Sequence, residues 1–387
     1  MISTEIFYEK QENGIKITGI KGRVSEIRIP DTINGITVSE IGDYAFYTEN
    51  EFLPNDKEDE ISYIFTEGEK ECERDTGEAI KRIYIPDTVT KIGKYAFCGC
   101  KYLYYIHLPE NLENISEYML SGCESLENIY IPESIQNTES YAFHNCRNIK
   151  SIDIPEGCKS VGNYVFYNCR NIESVVLPKS LEKTGTGMFL NCIRLKYITF
   201  GKYINVADII APLTQELHIT VNFDDGQKAK IVVPDFQYEY IEDTPARLFH
   251  QVNYGTGHIF HQCIRNSGID FRHYDSYFYL TKREDGNVMV MLFAMYRLEY
   301  PYKLTDDKKQ IYLDYIKENI KFTSEYYISL GDVEKIKLLA KWGLFDEKSA
   351  DYAMKFSGEK GKTDITSFIM DYCHKNFKSN KTKTFEL

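Results

Sequence analysis

The chain has 387 residues, 43% of them hydrophobic, and a formal net charge of −12. That length exceeds one compact core and asks for two or three units. The acidic balance argues against sequence-independent binding to nucleic acid or to an anionic membrane, since both need a basic surface.

The N-terminus, MISTEIFYEKQENG, has no apolar stretch of signal type, and no run reaches the ~18 apolar residues of a membrane span. A cytoplasmic protein with no membrane span is expected, and its ten cysteines read as reduced thiols. Around Asn13-Gly14, the residues Ile15, Ile17 and Ile20 alternate loosely and suggest a short hairpin or capping strand. Ile27-Arg28-Ile29-Pro30 and Ile41-Gly42-Asp43-Tyr44-Ala45-Phe46 follow. Residues 1–47 therefore read as an N-terminal cap with a first, atypical repeat. Positions 49–78 hold twelve acidic and three basic residues, a net −9. Residues 48–80 form an acidic insertion in which Ile61, Tyr63, Ile64 and Phe65 are the apolar cluster, a candidate extra strand.

Residues 81–201 carry one motif in register. Pro86, Pro109, Pro132, Pro155 and Pro178 are 23 residues apart, as are Phe97, Leu120, Phe143, Phe166 and Phe189, and Cys100, Cys123, Cys146, Cys169 and Cys192. Within each copy an Ile-x-Ile pair such as Ile83/Ile85 or Ile152/Ile154 has the period of a half-buried strand, and the proline ends it. The Tyr-Ala-Phe-x-x-Cys segment is expected to return the chain as a short helix or 3₁₀ turn. One coil cannot bury its own apolar face, so the copies stack. Gly201 stands where the next proline is due. Residues 202–234 read as a capping β-hairpin built on Ile219, Val221 and Phe223, the Asp225-Gly226 turn, and Ile231 and Val233.

From about Pro234 the pattern is taken as helical, giving an all-α domain over 235–387. Thr244-Pro245 opens it, and helices are expected over 256–266, 270–281, 286–299 and 306–322. Segments starting at Gly331 and Gly361 align at an offset of 30 and suggest packed helical hairpins, similar to the second half of an ankyrin-type unit but without its Thr-Pro-Leu-His signature.

The sentence Ile-Pro-x-x-[Val/Ile]-x-x-Ile-Gly-x-x-Ala-Phe-x-x-Cys-x-x-Leu resembles the BspA-like leucine-rich repeat family over roughly residues 15–201. The resemblance implies an α+β chain: a right-handed leucine-rich-repeat solenoid with a parallel sheet on its concave side, followed here by the helical-hairpin domain. It also implies an interaction or adhesion role of the kind described for bacterial and protist members.

Catalytic chemistry is not legible. The five-cysteine column is a line, not a tetrahedron, and reads as small buried residues. His250, His258, His261, Cys263 and His273 cluster in sequence, but no His-Glu-x-x-His order supports a metal. The Gly-Lys-Thr at 361–363 lacks the first glycine of a phosphate loop and follows a helix. No cofactor or metal is expected. What remains is the outward-facing side of the strands, where Arg82, Tyr84, Tyr105, His107, Asn128, Tyr130, Asp153 and Tyr197 project. Tyrosine and arginine are the types that anchor interfaces. The expected function is a non-enzymatic scaffold that binds a protein partner through this face, the helical domain, or both. The alternatives are an exported adhesin and a metal-dependent hydrolase seated in the helices.

Overall fold

The computed structural model describes residues 2–21, 24–47, 61–67, 80–243 and 248–377. Ile2–Gln11 and Gly14–Lys21 form an antiparallel hairpin in which Ile15, Ile17 and Ile20 are wholly buried. Ile36–Ile41 pairs in parallel with the second of these strands. Ile61–Glu67, the apolar cluster of the acidic insertion, pairs in parallel with the first. Apart from these seven residues and Ile80, the insertion lies outside the described residues.

The repeats wind a β-solenoid of about eight turns with mostly parallel strands. One side of each coil is a short strand, and equivalent residues stack in register: Ile27 on Ile83 on Ile106, then Ile152 on Val175 on Ile198 on Ile219. The ladder is interrupted once. Residues 128–131 form no strand, although they carry the same alternation as their neighbours. On one side of this gap Ile106 is 5% exposed, on the other Ile152 1%, against 0% for Ile83 and Ile198 in the same column. A second side carries two-residue parallel strands, Asn114–Ile115, Asn137–Thr138, Ser160–Val161 and Lys183–Thr184. Between the two sides each proline closes a turn, its carbonyl accepting from the residue three ahead, as from Val89 N to Pro86 O at 3.0 Å.

The third side corrects an expectation. The Tyr-Ala-Phe-x-x-Cys segment is neither α nor 3₁₀ helix but a run of turns. A helix would spend its N–H groups on its own carbonyls. Here alternate N–H groups leave the coil: Tyr95 donates to Glu117 O, Phe97 to Met119 O and Gly99 to Ser121 O, at 2.7–3.1 Å. This geometry puts Tyr44, Tyr95, Tyr118, Tyr141 and Tyr164 in the left-handed region, φ 54–59°. That conformation is unfavourable for a bulky side chain. The rings offset the strain by stacking on one another at 4.7–5.2 Å between centroids. The column ends at Gly187, where a Cβ would lie 2.3 Å from the Tyr164 ring.

Inside, Phe143, Phe166 and Phe189 are buried and stacked at 5.3 and 5.6 Å. The cysteine column has a polar task as well. Cys100, Cys123, Cys146, Cys169 and Cys192 each donate Sγ–H to a carbonyl of the preceding coil, at 3.0–3.3 Å. Burial pushes these thiols upward, Cys192 to about 12, which keeps the donor proton in place. Gly201 takes the proline position because its N–H donates to Leu177 O at 2.7 Å and a Cβ would meet Lys179 N at 2.4 Å.

The segment expected as a capping hairpin opens with a short helix, Val206–Ile210. Its first strand, Leu217–Asn222, stacks in parallel on Tyr197–Phe200 and so prolongs the solenoid sheet. The turn at Asp225-Gly226 follows, with Phe223 N donating to Gln227 O. The helices do not start at 235. Gln237–Asp243 and Leu248–Tyr254 are antiparallel strands. Phe236, Tyr238 and Tyr240 alternate with polar residues, and that period of two, in residue types that suit strands, wins over the helical reading. Thr244-Pro245 lies outside the described residues. The first helix of this region is Gly257–Cys263.

By its internal contacts the chain forms two units: 1–228 with 233–270, and 229–232 with 271–387. The second unit is helical. Phe271–Ser276, Phe278–Glu284, Asn287–Glu299, Asp306–Glu318 and Ile320–Leu330 lead into Val333–Lys341, Glu347–Glu359 and Thr363–Asn376. The last four of these helices pack as helix-turn-helix pairs, each turned at a left-handed glycine, Gly331 (φ 75°) and Gly361 (φ 66°). Asp346 and Ser349 cap Glu347–Glu359 reciprocally. At the centre Arg297, wholly buried, donates Nε to Asp275 at 2.8 Å and a second N–H at 2.9 Å. Its remaining donors reach the carbonyl of Tyr302, while the Tyr312 hydroxyl donates to Asp275 at 2.8 Å.

Candidate protein-binding face

The strand alternation that buries Ile83 and Ile106 turns Arg82, Tyr84, Tyr105 and His107 outward, and the parallel register places Arg82 beside Tyr105 and Tyr84 beside His107. The Tyr84 and Tyr105 rings lie 5.3 Å apart. They are backed by two residues absent from the expected face, Glu26 and Arg28 on the first strand of the ladder. Glu26 accepts a hydrogen bond from Arg28 at 2.8 Å and forms an ion pair with Arg82 at 3.0 Å, and the Arg28 guanidinium sits 3.9 Å over the Tyr84 ring. The sequence signal was available, since Glu26-Ile27-Arg28 precedes Pro30 with the same out-in-out pattern. Glu26 also raises the already basic Arg28.

Asn128 and Tyr130 are both exposed, Tyr130 at 58%, and they sit in the one coil where the ladder is interrupted. The Tyr130 hydroxyl is raised, above all by the nearby Glu110 carboxylate. Asp153 is exposed one coil on, and Ser151, Ser174 and Val176 follow on the outward side. Tyr197 lies four coils beyond Tyr105, about 19 Å at the usual strand spacing of ~4.8 Å. The structure therefore divides the eight expected residues. Arg82, Tyr84, Tyr105 and His107 form one cluster, with Asn128 and Tyr130 beside it, whereas Asp153 and Tyr197 stand apart.

Tyr197 has its own surroundings, again missed in the sequence. Its ring packs 4.8 Å from His218 of the next strand. His218 and Lys196 converge on Glu216 at 2.7 and 2.8 Å. The His218 hydrogen bond, with help from Lys196, draws the Glu216 carboxyl down to about 2. His218 was hidden because it is buried (3% exposed) inside a strand whose neighbours are apolar.

Two of the histidines of the helical expectation have settled surroundings. Burial, and then His258, pull His261 down to about 4, and its ring abuts Phe236 at 5.0 Å. His258 Nδ1 meets Gly255 O at 3.1 Å. The side chain of His250 lies outside the described residues. Among the described residues no three His, Cys, Asp or Glu side chains converge as metal ligands, and no helix is long and apolar enough to cross a membrane.

Coils of this period, with an in-register sheet and a variable outward face, define a leucine-rich-repeat protein. The repeats are of the BspA type: residues 75–207 match the model of the BspA type leucine rich repeat region in six copies. Among solved structures, a leucine-rich repeat protein from Bacteroides ovatus is 28% identical, over 51% of this chain and 46% of its own length, with a TM-score of 0.42. The leucine rich repeat protein of T. pallidum is 26% identical over 49% of this chain and 86% of its own, with a TM-score of 0.38. A leucine rich cell surface protein from Faecalibacterium prausnitzii is 23% identical over 57% and 58%, with a TM-score of 0.35. The chain thus spans less than half of the Bacteroides protein. No curated protein matches it significantly.

Proposed function

We propose that this protein is a non-enzymatic scaffold that holds a protein partner on the outward face of its solenoid sheet, with Tyr84, Tyr105, His107 and Tyr130 at the centre. The observation that carries this reading is the prepared state of the aromatic cluster. Tyr105 and Tyr130 stay 41% and 58% exposed while Arg28, itself paired with Glu26, covers the Tyr84 ring. Large, rigid, amphipathic rings that are ordered before binding lose little freedom on contact. The reading includes a reducing compartment such as the cytoplasm. Supporting it are five buried thiols engaged as donors to carbonyls.

Affinity capture from the native cell tests this. Full-length protein is compared with a variant carrying alanine at Tyr84, Tyr105, His107 and Tyr130, after circular dichroism has shown that the sheet persists. The expected outcome is loss of the captured protein. Undiminished capture would move the site elsewhere, with the helical unit next to be tested.

A further inference from the structure

In four successive coils the residue after the proline is an exposed acid: Asp87, Glu110, Glu133 and Glu156. Two of these carboxylates serve the fold. Asp87 accepts from Glu110 N at 2.9 Å, and Glu156 from Lys179 N at 3.1 Å. Among the described residues Glu110 and Glu133 take no N–H of the next coil and pair with no cation, and Asp153 has no cation either. Neighbouring cations are engaged elsewhere, Arg28 and Arg82 on Glu26 and Lys150 on Glu127. Water suffices for exposed carboxylates. What distinguishes these is the ring set among them.

Tyr130 precedes Glu133 by three residues, Glu110 is the equivalent of Glu133 one coil back, and Asp153 holds the position of Tyr130 one coil on. The ring is 58% exposed. The charges of both glutamates reach its hydroxyl, that of Glu110 the more strongly. The chain itself shows what such a setting accepts. Tyr84 stands at the same position two coils back, and there Arg28 lies 3.9 Å over the ring while pairing with Glu26 at 2.8 Å. Ring, carboxylate and guanidinium are complete at Tyr84. At Tyr130 the ring and the carboxylates are in place, and no cation of the described residues covers them.

We propose that Tyr130, flanked by Glu110, Glu133 and Asp153, seats an arginine side chain of the protein partner. The inference rests on the partner-binding face proposed above and names the partner's chemistry at one point on it. A guanidinium uses every part of the setting. Its flat face stacks on the tyrosine ring, and its edge presents N–H donors to carboxylates on either side. An ammonium would meet the carboxylates but has no plane to lay on the ring. The net charge of −12 favours the approach of a basic partner over an acidic one.

Titration of the full chain, with isotopically labelled tyrosine and Tyr130 assigned through Tyr130→Phe, tests the seat without the partner. The probe is acetyl-arginine-amide. The Tyr130 ring signals are expected to shift saturably, with a midpoint in the millimolar range that rises with added salt. The midpoint should rise about threefold or more in the Glu110→Gln, Glu133→Gln double variant, and the corresponding lysine derivative should bind about threefold more weakly than arginine. Acetyl-citrulline-amide, which has the shape without the charge, should give no saturable shift. The inference is overturned if arginine leaves Tyr130 unmoved, if citrulline matches it, or if the double variant keeps the wild-type midpoint. Equal binding of the lysine derivative would overturn the choice of arginine. Partner capture separates this inference from the face as a whole. A partner lost with alanine at Tyr84, Tyr105, His107 and Tyr130 but fully kept by the double variant leaves the face standing and overturns the arginine seat.

Discussion

Replacing Phe143 with alanine probes the central claim about the solenoid, that its stability is a property of stacked coils. The ring is wholly buried in mid-array, 5.3 Å from Phe166 and nearly parallel to it. On its other side the column is continued by Leu120, also at 0% exposure. Truncation removes a ring that the backbone cannot replace, because its coil is tied by Phe143 N to Val165 O and by Cys169 Sγ to Phe143 O at 3.0 Å. A cavity therefore remains, and the expected cost is about 3–5 kcal/mol. That is a large share of the ~5–15 kcal/mol that usually separates folded from unfolded. Urea melts should be followed by near-ultraviolet circular dichroism, where the stacked tyrosines report on the solenoid. The single tryptophan, Trp342, lies in the helical unit and reports on that unit instead. A loss below 1 kcal/mol in the tyrosine-detected transition would refute a continuous aromatic core.

Three further outcomes are expected. Cys146→Ala should cost about 1–2 kcal/mol in the same melts, because it removes a buried donor to Leu120 O as well as the sulfur. Arg297→Ala should destabilise the helical unit by about 3–5 kcal/mol, read by tryptophan emission, because it strands Asp275 in the core; removing both charges together for apolar residues should cost less. The third concerns pH. Glu216 is depressed from its ordinary 4.5 to about 2 in the fold, so the unfolded chain binds its proton first; the stability it contributes is complete above 4.5 and is lost as pH falls toward 2. Acid titration of the wild type against Glu216→Gln should show this slope vanish in the variant.

The columns of the repeat were legible because stacking imposes one residue type per position, and 23-residue spacing exposes it. Backbone geometry on the turn side was not. Tyr95 and its equivalents look like helix in one dimension, with apolar residues bunched closely enough for a helical turn. What excludes the helix is a partner one coil away that takes the N–H groups. The strands at 237–254 were lost to a different cause. Once the repeat stops, a few alternating aromatics compete with an overall helical pattern further on.

The face shows the same division between what one coil can reveal and what needs two. Outward positions follow from alternation, so Arg82, Tyr84, Tyr105, His107, Asn128, Tyr130, Asp153 and Tyr197 could be named from register alone. Which of them act together depends on neighbours in adjacent coils. Tyr84 owes its setting to Arg28, and Tyr197 to His218, each contributed by a neighbouring strand. The interrupted coil at 128–131 divides the face, with Tyr130 projecting from the interruption. Since every coil of the array repeats the same buried letters, the proposed partner binding would draw its selectivity from cross-coil pairs of this kind. Glu26, Arg28, Arg82, Tyr84 and Tyr105 form one such set. A partner that reads it touches three coils at once, so changes in coil spacing and in affinity should move together.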